Sequence, residues 1–189
     1  MMFMLNVLTL DVESTIYKYP GDRRSSDRRG SVYSSYNSLV SCCLKWEDKL
    51  DAEAFYFPTM SPELYEITKQ YIQTRINQAD IIVGFNIKFD LSWFKRIGID
   101  VFNIKQVWDC QIAEFLLESQ RNPYPSLAKA CEKYNIPAKM DIIELDYWDK
   151  CIDTDEIPKG ILLEYNKHDV IITEQVFKKQ YEQFTGVSL

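Results

Sequence analysis

The chain has 189 residues, with 28 Asp and Glu against 22 Lys and Arg and a formal net charge of −6. At ~100–200 residues per domain this reads as one domain, 1–189, long enough to bury a core without disulfide or metal staples. Hydrophobic residues at 46% and aromatics at 14% exclude a disordered tail. The acidic balance excludes a protein that coats duplexes through a broad Lys/Arg surface, but not an enzyme gripping a short stretch of nucleic acid around metal ions. No apolar run approaches the ~20 residues of a membrane span. Met1–Leu10 lacks a basic n-region and a small-residue cleavage site. Cys42, Cys43, Cys110, Cys131 and Cys151 form no C-x-x-C pair, so they read as reduced thiols of a cytoplasmic or other intracellular protein.

In chain order, residues 4–12 (MLNVLTLDV) are a short apolar run with β-branched residues, expected as a buried strand. Residues 18–30 (KYPGDRRSSDRRG) are a polar loop holding Arg23, Arg24, Arg28 and Arg29. Val32 to Trp46 suggests an irregular second strand and Ala52 to Phe57 a third, forming an antiparallel meander. Ser61-Pro62-Glu63 opens a helix running to about Asn77, with Ser as cap and Pro in the first turn. Ile81–Phe85 reads as a fourth strand, Phe89–Ile97 as a helix stopped near Gly98, and Val107-Trp108 as a short fifth strand. Helices are expected over Cys110–Leu117, from Pro125-Ser126 to Tyr134, and from Pro158 to about Gln183. The acid-rich stretch 141–160 reads as a solvated connection. The sum is an α/β fold, a mixed sheet of about five strands flanked by helices.

Three acidic motifs carry chemistry. Asp11 and Glu13 end the first strand, and side chains at i and i+2 of a strand share a face. Two adjacent carboxylates repel, so one protonates unless a cation lies between them. A second such pair, Asp51-Ala52-Glu53, reads as an exposed strand start; only Asp11 ends an apolar strand, where open α/β sheets place ligands. Asp90, in Asn86-Ile87-Lys88-Phe89-Asp90, extends the apolar stripe of Trp93, Phe94 and Ile97, although an Asp in a first turn also fits capping or helix-dipole chemistry. In the last helix Leu162, Tyr165, Asp169, Ile172 and Val176 step by 3 and 4, which sets Asp169 in a core stripe. There it needs a partner, a proton or a metal, and a hydrogen bond to a neighbouring hydroxyl is the ordinary alternative. Acids on three separated segments, without a Cys or His cluster, suit Mg²⁺ or Mn²⁺ rather than zinc.

In this order the motifs resemble those of the DEDD superfamily of 3′–5′ exonucleases, which share an RNase H-like (DnaQ-like) fold. Tyr165, four residues before Asp169, fits the DEDDy branch; a DEDDh enzyme has His five before the Asp, whereas five after His168 is Thr173. Overall the chain most resembles the proofreading exonuclease domain of family A type DNA polymerases, without a polymerase module. The resemblance implies two Mg²⁺ or Mn²⁺ ions held by Asp11, Glu13, Asp90 and Asp169, with Asp11 bridging both and Tyr165 orienting the attacking water. It also implies that Thr15, Asn86 and Phe89 bind the terminal nucleotide. The expected substrate is the 3′ end of single-stranded or frayed DNA, with a separate DNA polymerase or replication protein as partner and a phage-like context. RNase D-like trimming of RNA, or a non-catalytic binding module, are the competing readings. The four arginines of the 23–29 segment serve either as a grip on the nucleic-acid backbone or as a solvated loop tip.

Overall fold

Alternating and apolar-run segments fold as their patterns require. The computed structural model describes residues 5–18, 28–137 and 140–188. Its sheet is built from β1 (Val7–Ser14), β2 (Leu39–Trp46), β3 (Glu53–Tyr56), β4 (Ile81–Gly84) and β5 (Val107–Asp109), in the order β3-β2-β1-β4-β5. β1 to β3 form the antiparallel meander, while β4 joins β1, and β5 joins β4, in parallel. The helices are α1 (Pro62–Gln78), α2 (Lys88–Arg96), α3 (Cys110–Leu117), α4 (Leu127–Tyr134), α5 (Ile142–Asp146) and α6 (Lys159–Thr185). This is the expected mixed α/β sheet with helices on both faces.

The alternation of β1 decides what faces what. Leu8, Leu10 and Val12 pack with Ile72 and Ile76 of α1 and with Trp93 and Phe94 of α2. Val7, on the other face, packs with Ile172, Val176 and Phe177 of α6. Asp11 and Glu13 share the parity of Val7, so they point toward α6. Pairing between β1 and β4 covers only Val7–Thr9 against Ile81–Val83, so beyond Thr9 the edge of β1 next to β4 is open. The β1–β2 register shifts between Glu13 and Ser14, an irregularity of the kind that re-aims side chains beside functional sites.

β4 is followed by a tight reversal into α2. A side chain at Gly84 would meet Ile87 at 2.9 Å, so only glycine fits there. Asn86 takes a left-handed φ of 62°, which asparagine tolerates better than most residues. Its N–H donates to Asp109 Oδ1 at 3.1 Å. Asp109 also caps α3 by accepting from the N–H groups of Gln111 and Ile112, so one carboxylate ties two loops together. Gly186, with φ 70° and its N–H on the Glu182 carbonyl at 2.8 Å, stops α6.

Two expectations are corrected. The second strand begins at Leu39, not Val32: Ser34 and Asn37 close turns on Ser31 and Ser34, and the Asn37 side chain donates to the Arg29 and Ser31 carbonyls. Such short polar side chains compete with the strand ladder for backbone groups. The 141–160 stretch is not a solvated connection. It holds α5 and two 3₁₀ turns (Trp148–Lys150 and Thr154–Glu156), with Ile143, Asp153, Thr154 and Ile157 buried. Asp153 accepts from the N–H groups of Ile16 and Tyr17 at 2.8 and 3.2 Å, fastening this segment to the exit of β1. Arg23 and Arg24 lie outside the described residues. Arg28 pairs with Glu144 and Asp149 and lies over the Trp148 ring. The five cysteines are free thiols, four of them buried. Among the described residues no helix is long and apolar enough to cross a membrane.

Candidate active site

The open end of β1 and the middle of α6 bring the first and third motifs together. The α6 stripe faces the sheet as its spacing predicts, with Leu162, Tyr165, Asp169, Ile172 and Val176 all buried. Carboxylate oxygens of Asp11, Glu13 and Asp169 lie within 4.8 Å of one another. With an effective dielectric of ~20, like charges at that distance repel by roughly 3.5 kcal/mol per pair before solvent screening. A cluster of hard oxygen donors without histidine or thiolate fits Mg²⁺ or Mn²⁺. The second D-x-E pair is different: Glu53 starts the edge strand and is bonded to Tyr71 and Arg75.

Asp90 reaches the same place from the other side. It is 2% exposed in the first turn of α2, and its Oδ1 accepts from the Val12 N–H at 2.9 Å. That N–H belongs to the length of β1 that β4 leaves unpaired, so the short β4 strand is what admits the second motif. The N-cap of α2 is Ile87, with no side-chain cap bond. Burial first, and the Asp11 charge next, push the Asp90 carboxyl well above the usual range, against the opposing Val12 hydrogen bond. Asp90 and Asp11 therefore share one electrostatic environment.

Tyr165 is buried, its ring edge-on to Trp148 at 6.1 Å, and its hydroxyl is hydrogen-bonded to Asp169. Burial first, then the charges of Glu13, Asp169 and Asp11, push the phenol far above its ordinary pKa. The hydroxyl thus remains protonated at neutral pH, with its one proton directed to Asp169. His168 is half-buried on α6 one residue before Asp169.

The candidate nucleotide contacts are placed as follows. Thr15 is buried and its hydroxyl accepts from the Ser38 N–H at 2.9 Å. Asn86 lies at the β4–α2 reversal, its buried Oδ1 having no hydrogen-bond partner among the described residues. Phe89 is half-buried and edge-on to Trp93 at 6.5 Å, and Trp93 itself is core. A Cβ placed on Gly30 would lie 3.6 Å from Phe89 Cζ and 3.3 Å from Ser14 Oγ, so Ser14, Gly30 and Phe89 are neighbours. The buried Ser14 hydroxyl also has no partner among the described residues.

Sequence reasoning missed Ser14, Ser41, Asp109, Trp148 and Asn166. Asn166 donates to Asp11 and accepts from Ser41. The available signal was position: Ser14 follows the first motif, and Asn166 follows Tyr165 on the buried side of α6.

The fold is similar to that of the family B DNA polymerase from the hyperthermophilic archaeon Pyrobaculum calidifontis, with a TM-score of 0.56 and 16% identity over 94% of this chain and 25% of that chain. The chain therefore spans about a quarter of the polymerase's length. It is also similar to Brucella melitensis NrnC, with a TM-score of 0.57 and 14% identity over 97% of this chain and 77% of that one. For NrnC bound to pGG the TM-score is 0.51, with 16% identity over 96% of this chain and 74% of that one. At these identities the likeness is one of fold, the RNase H-like α/β architecture. Comparison with curated protein sequences gives no match. Residues 29–183 match the family model DNA_pol_A_exo1, described as 3′–5′ exonuclease, a span that includes the second and third motifs and begins after Asp11 and Glu13. By that match, which covers most of its length, the chain belongs to the 3′–5′ exonuclease family.

Proposed function

We propose that the protein is a 3′–5′ exonuclease that hydrolyses the terminal phosphodiester of single-stranded or frayed DNA with two divalent ions held by Asp11, Glu13, Asp90 and Asp169. The observation that carries this reading is the meeting of three carboxylates from β1 and α6 within 4.8 Å, with Asp90 bonded to the backbone between two of them. Two Mg²⁺ or Mn²⁺ ions, when bound, supply a reactive water at neutral pH and neutralise charge on the leaving oxygen.

The residues divide the remaining work. Asp11 is close to Glu13 and Asp169 and interacts electrostatically with Asp90, so it would serve both ions. Glu13 and Asp169 would complete one ligand set, and Asp90 would support the other. Tyr165, protonated because burial and three neighbouring acids disfavour the phenolate, keeps its one proton on Asp169 and orients the attacking water through a hydrogen bond accepted at its hydroxyl oxygen, without acting as its base. Thr15, whose hydroxyl accepts from the Ser38 N–H, contacts the terminal nucleotide together with Asn86 and Phe89. A separate polymerase or replication protein remains the proposed partner, in a cytoplasmic, phage-like context.

A second reading is favoured by one observation. The likeness to NrnC, one of whose structures holds pGG, extends over most of both chains. Very short oligonucleotides, including RNA, are therefore the alternative substrate.

The test uses 5′-labelled and 3′-labelled DNA and RNA, from dinucleotides to 24-mers, with Mg²⁺, Mn²⁺ or a chelator. We expect a ladder shortening from the 3′ end, dependent on divalent ions and abolished by Asp11→Ala and Asp169→Ala. Faster loss of dinucleotides than of 24-mers selects the second reading. Cleavage that survives either substitution, or survives the chelator, rejects the proposal.

A further inference from the structure

A buried asparagine must satisfy a two-donor amino group and an acceptor carbonyl. Asn166 is 0% exposed. Its Nδ2 donates to Asp11 Oδ2 at 2.5 Å, and its Oδ1 accepts from the Ser41 hydroxyl at 3.1 Å. A carboxylate only accepts, so the amino end of the amide has to face Asp11. The Ser41 hydroxyl, donating to the carbonyl end, holds the amide in that sense. Ser41 is also 0% exposed, and lies opposite Glu13 in the β1–β2 register. The result is a short chain of hydrogen bonds running from β2 through α6 and ending on Asp11.

The chemistry of the link is as informative as its geometry. A lysine or arginine in this place would neutralise Asp11 and compete with a cation. A neutral amide fixes the carboxylate's rotation and leaves its charge in place. It takes up only one of about four lone-pair directions on the two oxygens. Hydrogen-bond partners of this kind, one step removed from the metal, commonly set affinity.

We propose that Asn166, held by Ser41, is a positioning residue that aims the Asp11 carboxylate and thereby sets the affinity of the site for divalent ions. This rests on the reading of Asp11, Glu13 and Asp169 as a metal site. Mn²⁺ is titrated calorimetrically into the intact protein without substrate, for wild type, Asn166→Ala and Ser41→Ala, with circular dichroism to establish folding. Asn166→Ala should bind Mn²⁺ about 10–100-fold more weakly. Ser41→Ala, which keeps the amide but frees it to rotate, should lose several-fold, and it carries the test alone if Asn166→Ala does not fold. Oligonucleotide cleavage by the variants should fall in kcat with KM unchanged and recover at high Mn²⁺, a recovery that a merely structural role does not give. Wild-type Mn²⁺ affinity in the folded variants overturns the positioning role and leaves the nuclease reading standing. A wild-type protein that binds no Mn²⁺ overturns both.

Discussion

Replacing Asp169 with asparagine removes one charge from the acid cluster at nearly constant shape, and the sign of its effect on stability should depend on metal. Asp169 has two acidic neighbours, each within 4.8 Å. Roughly 3.5 kcal/mol of repulsion per pair, for an effective dielectric of ~20, is an upper figure, because Asp11 and Glu13 are half-buried and solvent screens them. The two pairs together give about 7 kcal/mol, and halving that sum twice, once for screening and once for relaxation, leaves about 2 kcal/mol. The amide carbonyl of asparagine can still accept the Tyr165 hydroxyl. In chelator the variant should therefore be about 2 kcal/mol more stable than wild type, or ~4–8 °C in Tm for a chain of this size. With Mg²⁺ at a hundred times its Kd, wild type should gain about 2.7 kcal/mol, and the variant far less, so the order reverses. Scanning calorimetry with and without Mg²⁺ reads both halves. A variant less stable than wild type in chelator, together with an undiminished response to Mg²⁺, would refute the electrostatic reasoning.

Three further expectations follow from other parts of the structure. Tyr165→Phe keeps the ring against Trp148 and removes only the hydroxyl, so kcat should fall about 10–10²-fold through lost alignment of the water; single-turnover kinetics check this, and full activity would exclude the role. Glu114 accepts hydrogen bonds from Lys133, Gln180 and Tyr134. Burial alone would raise its carboxyl, but these bonds outweigh it and hold the pKa below the ordinary glutamate value. A depressed pKa contributes stability above the unfolded value of about 4.3 and loses it as pH falls through the folded value. Glu114→Gln should thus cost about 1–2 kcal/mol at pH 7 and less below pH ~4, read by urea denaturation, and a pH-independent cost contradicts the linkage. Arg28, occupied by Glu144 and Asp149, should on replacement by Ala cost no more than about 1 kcal/mol and leave the salt dependence of oligonucleotide affinity unchanged; a flatter dependence would return it to the nucleic-acid grip.

Much of this was legible because periodicity and burial are two views of one constraint. The 3–4 stepping of Leu162, Tyr165, Asp169, Ile172 and Val176 identified both the last helix and its inward acid. Parity along β1 put Asp11 and Glu13 on one face. Contacts that close only in three dimensions were not legible. Nothing in the sequence says that β4 ends early enough to leave the Val12 N–H for Asp90, or that the amide of Asn166 reaches Asp11 across 155 residues of chain. The 141–160 stretch misled because its acids were read as charge density. Asp153 is an acceptor consumed by backbone N–H groups at the exit of β1, and the buried apolar residues Ile143 and Ile157 are anchors.

The most direct measurement is anomalous diffraction from crystals soaked in Mn²⁺ with a short oligonucleotide carrying an uncleavable 3′-terminal linkage. Two peaks roughly 3.5–4 Å apart are expected, one ligated by Asp11, Glu13 and Asp169, the other between Asp11 and the Asp90 side, with the scissile phosphate against both. Saturating Mn²⁺ that leaves these carboxylates without a peak, or an oligonucleotide bound elsewhere on the sheet, would contradict the assignment.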